Sequence, residues 1–199
     1  MKKVIITGIL LSLTLLLFSQ ETPVTTGWRA IRASKVSVDG RALTTDDPAP
    51  EGWINATVPG TVLTTLVNNS IMPEPWYGMN NEKIPDVWDV GRDYYTYWFF
   101  TRFSIPDLDS TRQVWLNFRG INYRAEIWFN GSLLSDTATD GMFLRRKYNI
   151  TSLLNHDGHN RLAVKVEPPL NPGKPNGGQG GDGTIGRDVT MQFTAGWDW

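Results

Sequence analysis

Tyr95-Thr96-Tyr97-Trp98-Phe99-Phe100-Thr101-Arg102-Phe103 alternates with a period of two residues. That period turns successive side chains to opposite faces of a β-strand. The odd positions present Tyr95, Tyr97, Phe99 and Phe103, and the even positions present Trp98, Phe100 and finally Arg102. Both faces of this strand are therefore expected to be at least partly covered. The same period recurs further on: Val114, Leu116 and Phe118 alternate with Trp115, Asn117 and Arg119, and Ala125, Ile127 and Phe129 with Glu126, Trp128 and Asn130. Leu162, Val164 and Val166 then alternate with Ala163 and Lys165. Each run has ordinary strand length.

The residues between the runs agree. Asn130-Gly131 follows a strand directly and is the strongest short signal for a hairpin. Asp39-Gly40 and Asp157-Gly158 read as similar turns, and Pro59-Gly60 ends an extended stretch. Thr61 to Asn68 (TVLTTLVN) predicts a short helix capped by the Thr61 side chain. Long helical periodicity is absent. Strands at regular spacing with turn signals between them predict an all-β domain, a jelly-roll β-sandwich. The nine tryptophans, six tyrosines and eight phenylalanines suit such a core, and a few of them suit the CH faces of sugar rings.

The two ends read differently. Lys2 and Lys3 precede an apolar run from Val4 to Phe18, and Ser19-Gln20 follow it, the layout of a secretory signal peptide over residues 1–20. A run of about fifteen residues is shorter than the ~20 that a spanning helix needs, so a membrane anchor is the weaker reading. Cleavage would remove two lysines and no acid, moving the net charge from -1 to about -3. That balance argues against nucleic acid, which would call for a basic face. The chain is expected to be exported, to a periplasm or beyond the cell. Its 199 residues contain no cysteine, so no thiolate site or disulfide is possible within it. Residues 21–170 form the predicted sandwich domain. Residues 171–199 form a Gly/Pro-rich loop and a final strand-like stretch, with linker composition over residues 167–186. Gly177-Gly178-Gln179-Gly180-Gly181 lacks the Lys-Ser/Thr of a phosphate loop.

Few residues read as chemistry. His156 and His159 lie in a polar turn with no second set of ligands, which argues for a plain turn and against zinc. Glycoside hydrolysis needs two facing carboxylates. Asp86, Asp89, Asp93, Glu126, Asp182, Asp188 and Asp198 are available, yet no local pattern pairs any two. Asp198 differs in its setting. Between Trp197 and Trp199 it joins a strong acceptor to two large aromatic faces, the groups a sugar ring calls for. The four Asn-X-Ser/Thr matches at Asn55, Asn68, Asn130 and Asn149 read as chance in a chain with a bacterial type of leader.

Val58-Pro59-Gly60-Thr61-Val62-Leu63, Tyr94 to Phe100, Asn117 to Glu126, Phe129-Asn130-Gly131 and Gly141-Met142-Phe143 together resemble glycoside hydrolase family 2. Gly177 to Asp182, Ile185 to Val189 and Gly196-Trp197-Asp198-Trp199 narrow the resemblance to the branch of mannosylglycoprotein endo-β-mannosidases and exo-β-glucosaminidases. The resemblance implies a galactose-binding-like jelly roll at the front of a longer retaining enzyme, whose two glutamates sit on a later barrel and have no counterpart here. It also implies that Trp197 and Asp198, with Trp199 beside them, help bind the terminal sugar in the −1 subsite. The implied partners are a β-mannoside or β-glucosaminide and the later domains of the same polypeptide. No cofactor, metal, nucleic acid or membrane partner is implied. Two other readings stand beside this one: a stand-alone carbohydrate-binding module, and a domain that only supports the barrel.

Overall fold

The computed structural model describes residues 21–46, 51–105, 111–135, 140–141, 143–155 and 157–171. Among these, eight strands form two antiparallel sheets. They are β1 (Arg29–Arg32), β2 (Ile54–Asn55), β3 (Tyr97–Phe103), β4 (Trp115–Phe118), β5 (Arg124–Phe129), β6 (Ser132–Leu133), β7 (Arg146–Asn149) and β8 (Asn160–Glu167). The larger sheet runs β2-β1-β3-β8-β5-β6 and the smaller pairs β4 with β7. The all-β sandwich expected from the alternation is what forms.

Register explains the burial. Ala30, Phe99, Val164 and Ile127 lie opposite one another across the large sheet and point inward. There they meet Leu116, Phe118 and Tyr148 of the small sheet and Leu66 of a helix. Ile31, Trp98, Lys165 and Glu126 form the next row and point outward. Trp98 and Phe100 join Ile31, Leu43 and Ala163 in a second apolar cluster on that outer face. Both faces of β3 are thus covered, as its sequence predicts. Tyr95 leaves the predicted strand, ending a 3-10 turn over Arg92–Tyr95.

Turn chemistry holds at Asn130-Gly131, whose φ values of 46° and 81° close the β5–β6 hairpin. It also holds at Thr61, whose hydroxyl accepts from the Thr64 amide at 2.9 Å and caps α2 (Val62–Asn68). Asp39-Gly40 differs from the expected turn. The Asp39 carboxylate accepts from the Ala42 amide and starts α1 (Gly40–Thr45), because an Asp before a short apolar run serves as well for a helix N-cap. Gly40 is required there by space: a Cβ would fall 2.1 Å from the Trp128 ring. No described helix is long and apolar enough to cross a membrane.

Candidate functional site

The outer face of the large sheet ends in charge. Lys165 sits between Glu126 on β5 and Glu167 on β8, its Nζ 3.4 Å and 3.1 Å from their carboxylates. Burial works against its charge, but the hydrogen bond it donates to Glu167 and the charges of both glutamates prevail and hold the lysine above its ordinary pKa. Glu126 also accepts from Trp128 Nε1 at 2.7 Å. Arg92 then donates from Nε and Nη2 to the Pro168 carbonyl at 3.0 Å and 2.8 Å, with Nη2 3.5 Å from Glu167. This guanidinium grips the backbone one residue past the end of β8.

A second ion pair braces the same end. Arg124 makes a bidentate bridge to Asp140 at 2.7 Å and 2.6 Å. The hydrogen bond from Arg124 holds the Asp140 carboxyl below its usual range. The Gly141 amide next to it donates to the Tyr123 carbonyl. Near the β1–β2 edge, a recess of about 700 Å³ is lined by Trp28, Arg29, Trp53, Asn55, Phe100 and Arg102. Trp53 meets Phe100 edge-on at 5.9 Å, and Arg29 donates to the Trp53 carbonyl at 2.7 Å.

A third feature is the strand-free segment from Pro73 to Gly91, which holds a 3-10 turn at Asn80–Lys83. Trp76, Tyr77 and Met79 are 91%, 78% and 64% exposed, whereas Trp28 and Trp98 are 7% and 4% exposed. The Tyr95 hydroxyl donates to the Pro85 carbonyl and ties the segment to the base of β3. Burial first, then the neighbouring Tyr94 and Asp86, push that phenol up to about 12.

The site residues expected from the sequence, Trp197, Asp198 and Trp199, lie outside the described residues, as do residues 1–20, residues 172–196, His156 and Met142. Of the carboxylates considered, Glu126 is tied to Lys165 and Trp128, and Asp86 caps α3 (Val87–Val90). Asp182 and Asp188 lie with Asp198 outside the description. His159 belongs to a turn in which its amide donates to Asp157 and its carbonyl accepts from Asn155. No group of three His, Cys, Asp or Glu able to hold a metal occurs among the described residues. These arrangements suit binding and bracing.

Sequence reasoning passed over two features. Arg92 is joined to residues 75 and 76 positions away, a contact no local pattern announces. The Glu74-Pro75-Trp76-Tyr77-Gly78-Met79 stretch did carry a signal: large apolar residues without period among turn formers, a pattern that builds no core.

Three comparisons bear on this geometry. The family model "Glycosyl hydrolase 2 galactose-binding domain-like" matches residues 33–199. Mannosylglycoprotein endo-beta-mannosidase of Lilium longiflorum is 50% identical over 179 residues, covering 87% of this chain and 18% of that protein. Exo-beta-D-glucosaminidase of Streptomyces avermitilis is 27% identical over 154 residues, covering 77% of this chain and 16% of that protein. Among solved structures, the exo-chitosanase of Amycolatopsis orientalis superposes with a TM-score of 0.63 at 25% identity, covering 77% of this chain and 17% of that one. The beta-D-mannosidase of Dictyoglomus thermophilum superposes with a TM-score of 0.60 at 25% identity, over 88% of this chain and 20% of that one. This chain therefore spans about a fifth or less of the length of these relatives.

Proposed function

This chain belongs to the glycosyl hydrolase 2 galactose-binding domain-like family, and from that membership we propose that it serves a retaining β-glycosidase acting on β-mannosides or β-glucosaminides. The observation that carries the proposal is the family match, which runs through the Trp197-Asp198-Trp199 element. The half-identical relative named for β-mannosidase activity supports it. In this reading Asp198 accepts hydrogen bonds from hydroxyls of the sugar at the −1 position, while Trp197 and Trp199 offer aromatic faces to it. The acid/base and nucleophile belong to a later domain of a longer polypeptide, and residues 1–199 supply no catalytic carboxylate. Residues 21–170 are the sandwich, and residues 171–199 carry the substrate-contacting element. Residues 1–20 are an export signal, a reading that the mature N-terminus decides.

The test is Asp198→Ala in the full-length protein, assayed on p-nitrophenyl β-mannoside and on the glucosaminide. A lost charge-assisted hydrogen bond to substrate is worth about 1.5–3 kcal/mol, so kcat/KM should fall roughly 10- to 100-fold with an unchanged melting temperature. A variant with normal kinetics, or one that merely melts earlier, rejects the subsite role. The exposure of Trp76 and Tyr77 favours a second reading, a carbohydrate-binding module without hydrolysis. A full-length protein that binds mannosides or chitosan oligomers in calorimetry yet cleaves none would establish it.

A further inference from the structure

The Pro73–Gly91 segment combines two properties that rarely meet in a loop: its backbone is held from within, and its largest side chains face solvent. The Tyr77 amide donates to the Glu74 carbonyl at 3.3 Å, and the Asn80 amide to the Tyr77 carbonyl at 3.2 Å. The Asn80 side chain closes the same turn, donating to the Glu74 carbonyl at 3.1 Å and accepting from Lys83 Nζ at 3.0 Å. The Glu82 and Ile84 amides continue the chain of turns to the carbonyls of Met79 and Asn81. Tyr95 then anchors the far end at Pro85. Trp76 and Tyr77 stand on this scaffold with 91% and 78% of their surface in water. A tryptophan so placed forfeits the stabilisation that Trp28 and Trp98 gain by burial, which marks it as kept for contact with something else.

The surroundings say what that something is. The cores of protein interfaces are depleted of charge. Here Glu74, Asn81, Glu82 and Lys83 are exposed within the same short segment. Aromatic rings interleaved with amides and carboxylates match a ligand with apolar CH faces rimmed by hydroxyls, which is an oligosaccharide. A turn already ordered in the free protein pays little entropy to receive it.

We infer that Trp76 and Tyr77 form a stacking platform for a unit of an extended β-linked oligosaccharide, a glycan contact additional to Trp197, Asp198 and Trp199. The inference rests on the carbohydrate reading proposed above and adds to it a contact made by described residues.

The experiment uses the full-length protein in wild-type, Trp76→Ala, Tyr77→Ala and Trp76→Phe forms. Each is titrated by calorimetry with β-1,4-mannotriose and with the glucosamine trimer, and its melting temperature is recorded. For the trimer that the wild type binds, Trp76→Ala should weaken affinity about tenfold, the size of one aromatic contact. Tyr77→Ala should weaken it several-fold, and Trp76→Phe should recover part of the loss, with all melting temperatures unchanged. Unaltered affinity in both alanine variants overturns the platform. A lowered melting temperature or a changed oligomeric state also overturns it, because the rings would then be covered by protein. Cleavage of the p-nitrophenyl glycosides by the wild type is scored separately. If the wild type cleaves these and the variants bind trimer normally, only the platform falls. If the wild type neither cleaves a glycoside nor binds a trimer, the carbohydrate reading itself falls.

Discussion

Asp140 shows how much a single side chain does at the end of the large sheet. Its two oxygens accept from Nε and Nη2 of Arg124 in a fork that holds Asp140 and Gly141 against the start of β5. Arg124 keeps the carboxyl below its usual pKa, so the folded state favours the ionised form. The stabilisation is then full above the unfolded carboxylate value and is lost as pH falls through the lowered one. Asp140→Asn should cost about 1 kcal/mol near neutrality, a modest figure because both side chains are about a third exposed. It should also flatten the decline in stability on the acid side. Urea denaturation at a series of acidic pH values checks this, and an unchanged profile would remove the bridge from the account. At this scale the sequence was legible at Asn130-Gly131 and at Thr61, where the conformation depends on adjacent residues. It was misleading at Asp39-Gly40, where the same dipeptide chemistry fits a turn or a helix start and the Trp128 ring decides.

Among elements, β3, β4, β5 and β8 were readable, whereas the short strands β1, β2, β6 and β7 and the short helix α1 were not. In those four strands alternation repeats along four to eight residues, whereas the six residues of Gly40–Thr45 make fewer than two turns in which to show a period. Yet α1 closes the outer face of the sheet. Leu43 is 2% exposed and packs into the cluster of Trp98, Phe100 and Ala163. The Thr44 hydroxyl accepts from the Gly131 amide at 2.9 Å, tying the helix to the β5–β6 hairpin. Leu43→Ala should therefore destabilise the protein by about 2–5 kcal/mol, the range for emptying a buried leucine site. Thermal and urea melts measure it, and a loss under 1 kcal/mol would mean that the helix is not part of the cooperative core.

For the whole molecule, the sandwich belongs to the glycosyl hydrolase 2 galactose-binding domain-like family, and the chain covers 18% of the lily endo-beta-mannosidase it matches. The export reading is a statement about the entire polypeptide. Intact-mass analysis of protein recovered from the producing cells should show a mature chain beginning at Glu21, and retention of Met1 to Gln20 would reject the signal peptide. The period of two in residues 95–103, 125–130 and 162–166 was enough to determine strands, an all-β sandwich and, for the first, two covered faces, and the ordered motifs were enough to determine the family. Those features are written between near neighbours. Only the tertiary structure set Trp98 beside Lys165 and Glu126, closed Arg92 on Pro168 across 76 residues, and left Trp76 and Tyr77 in solvent while Trp28 and Trp98 were buried. Pairing between distant strands and the burial of one aromatic over another are settled by how the whole chain packs, and no local pattern encodes them.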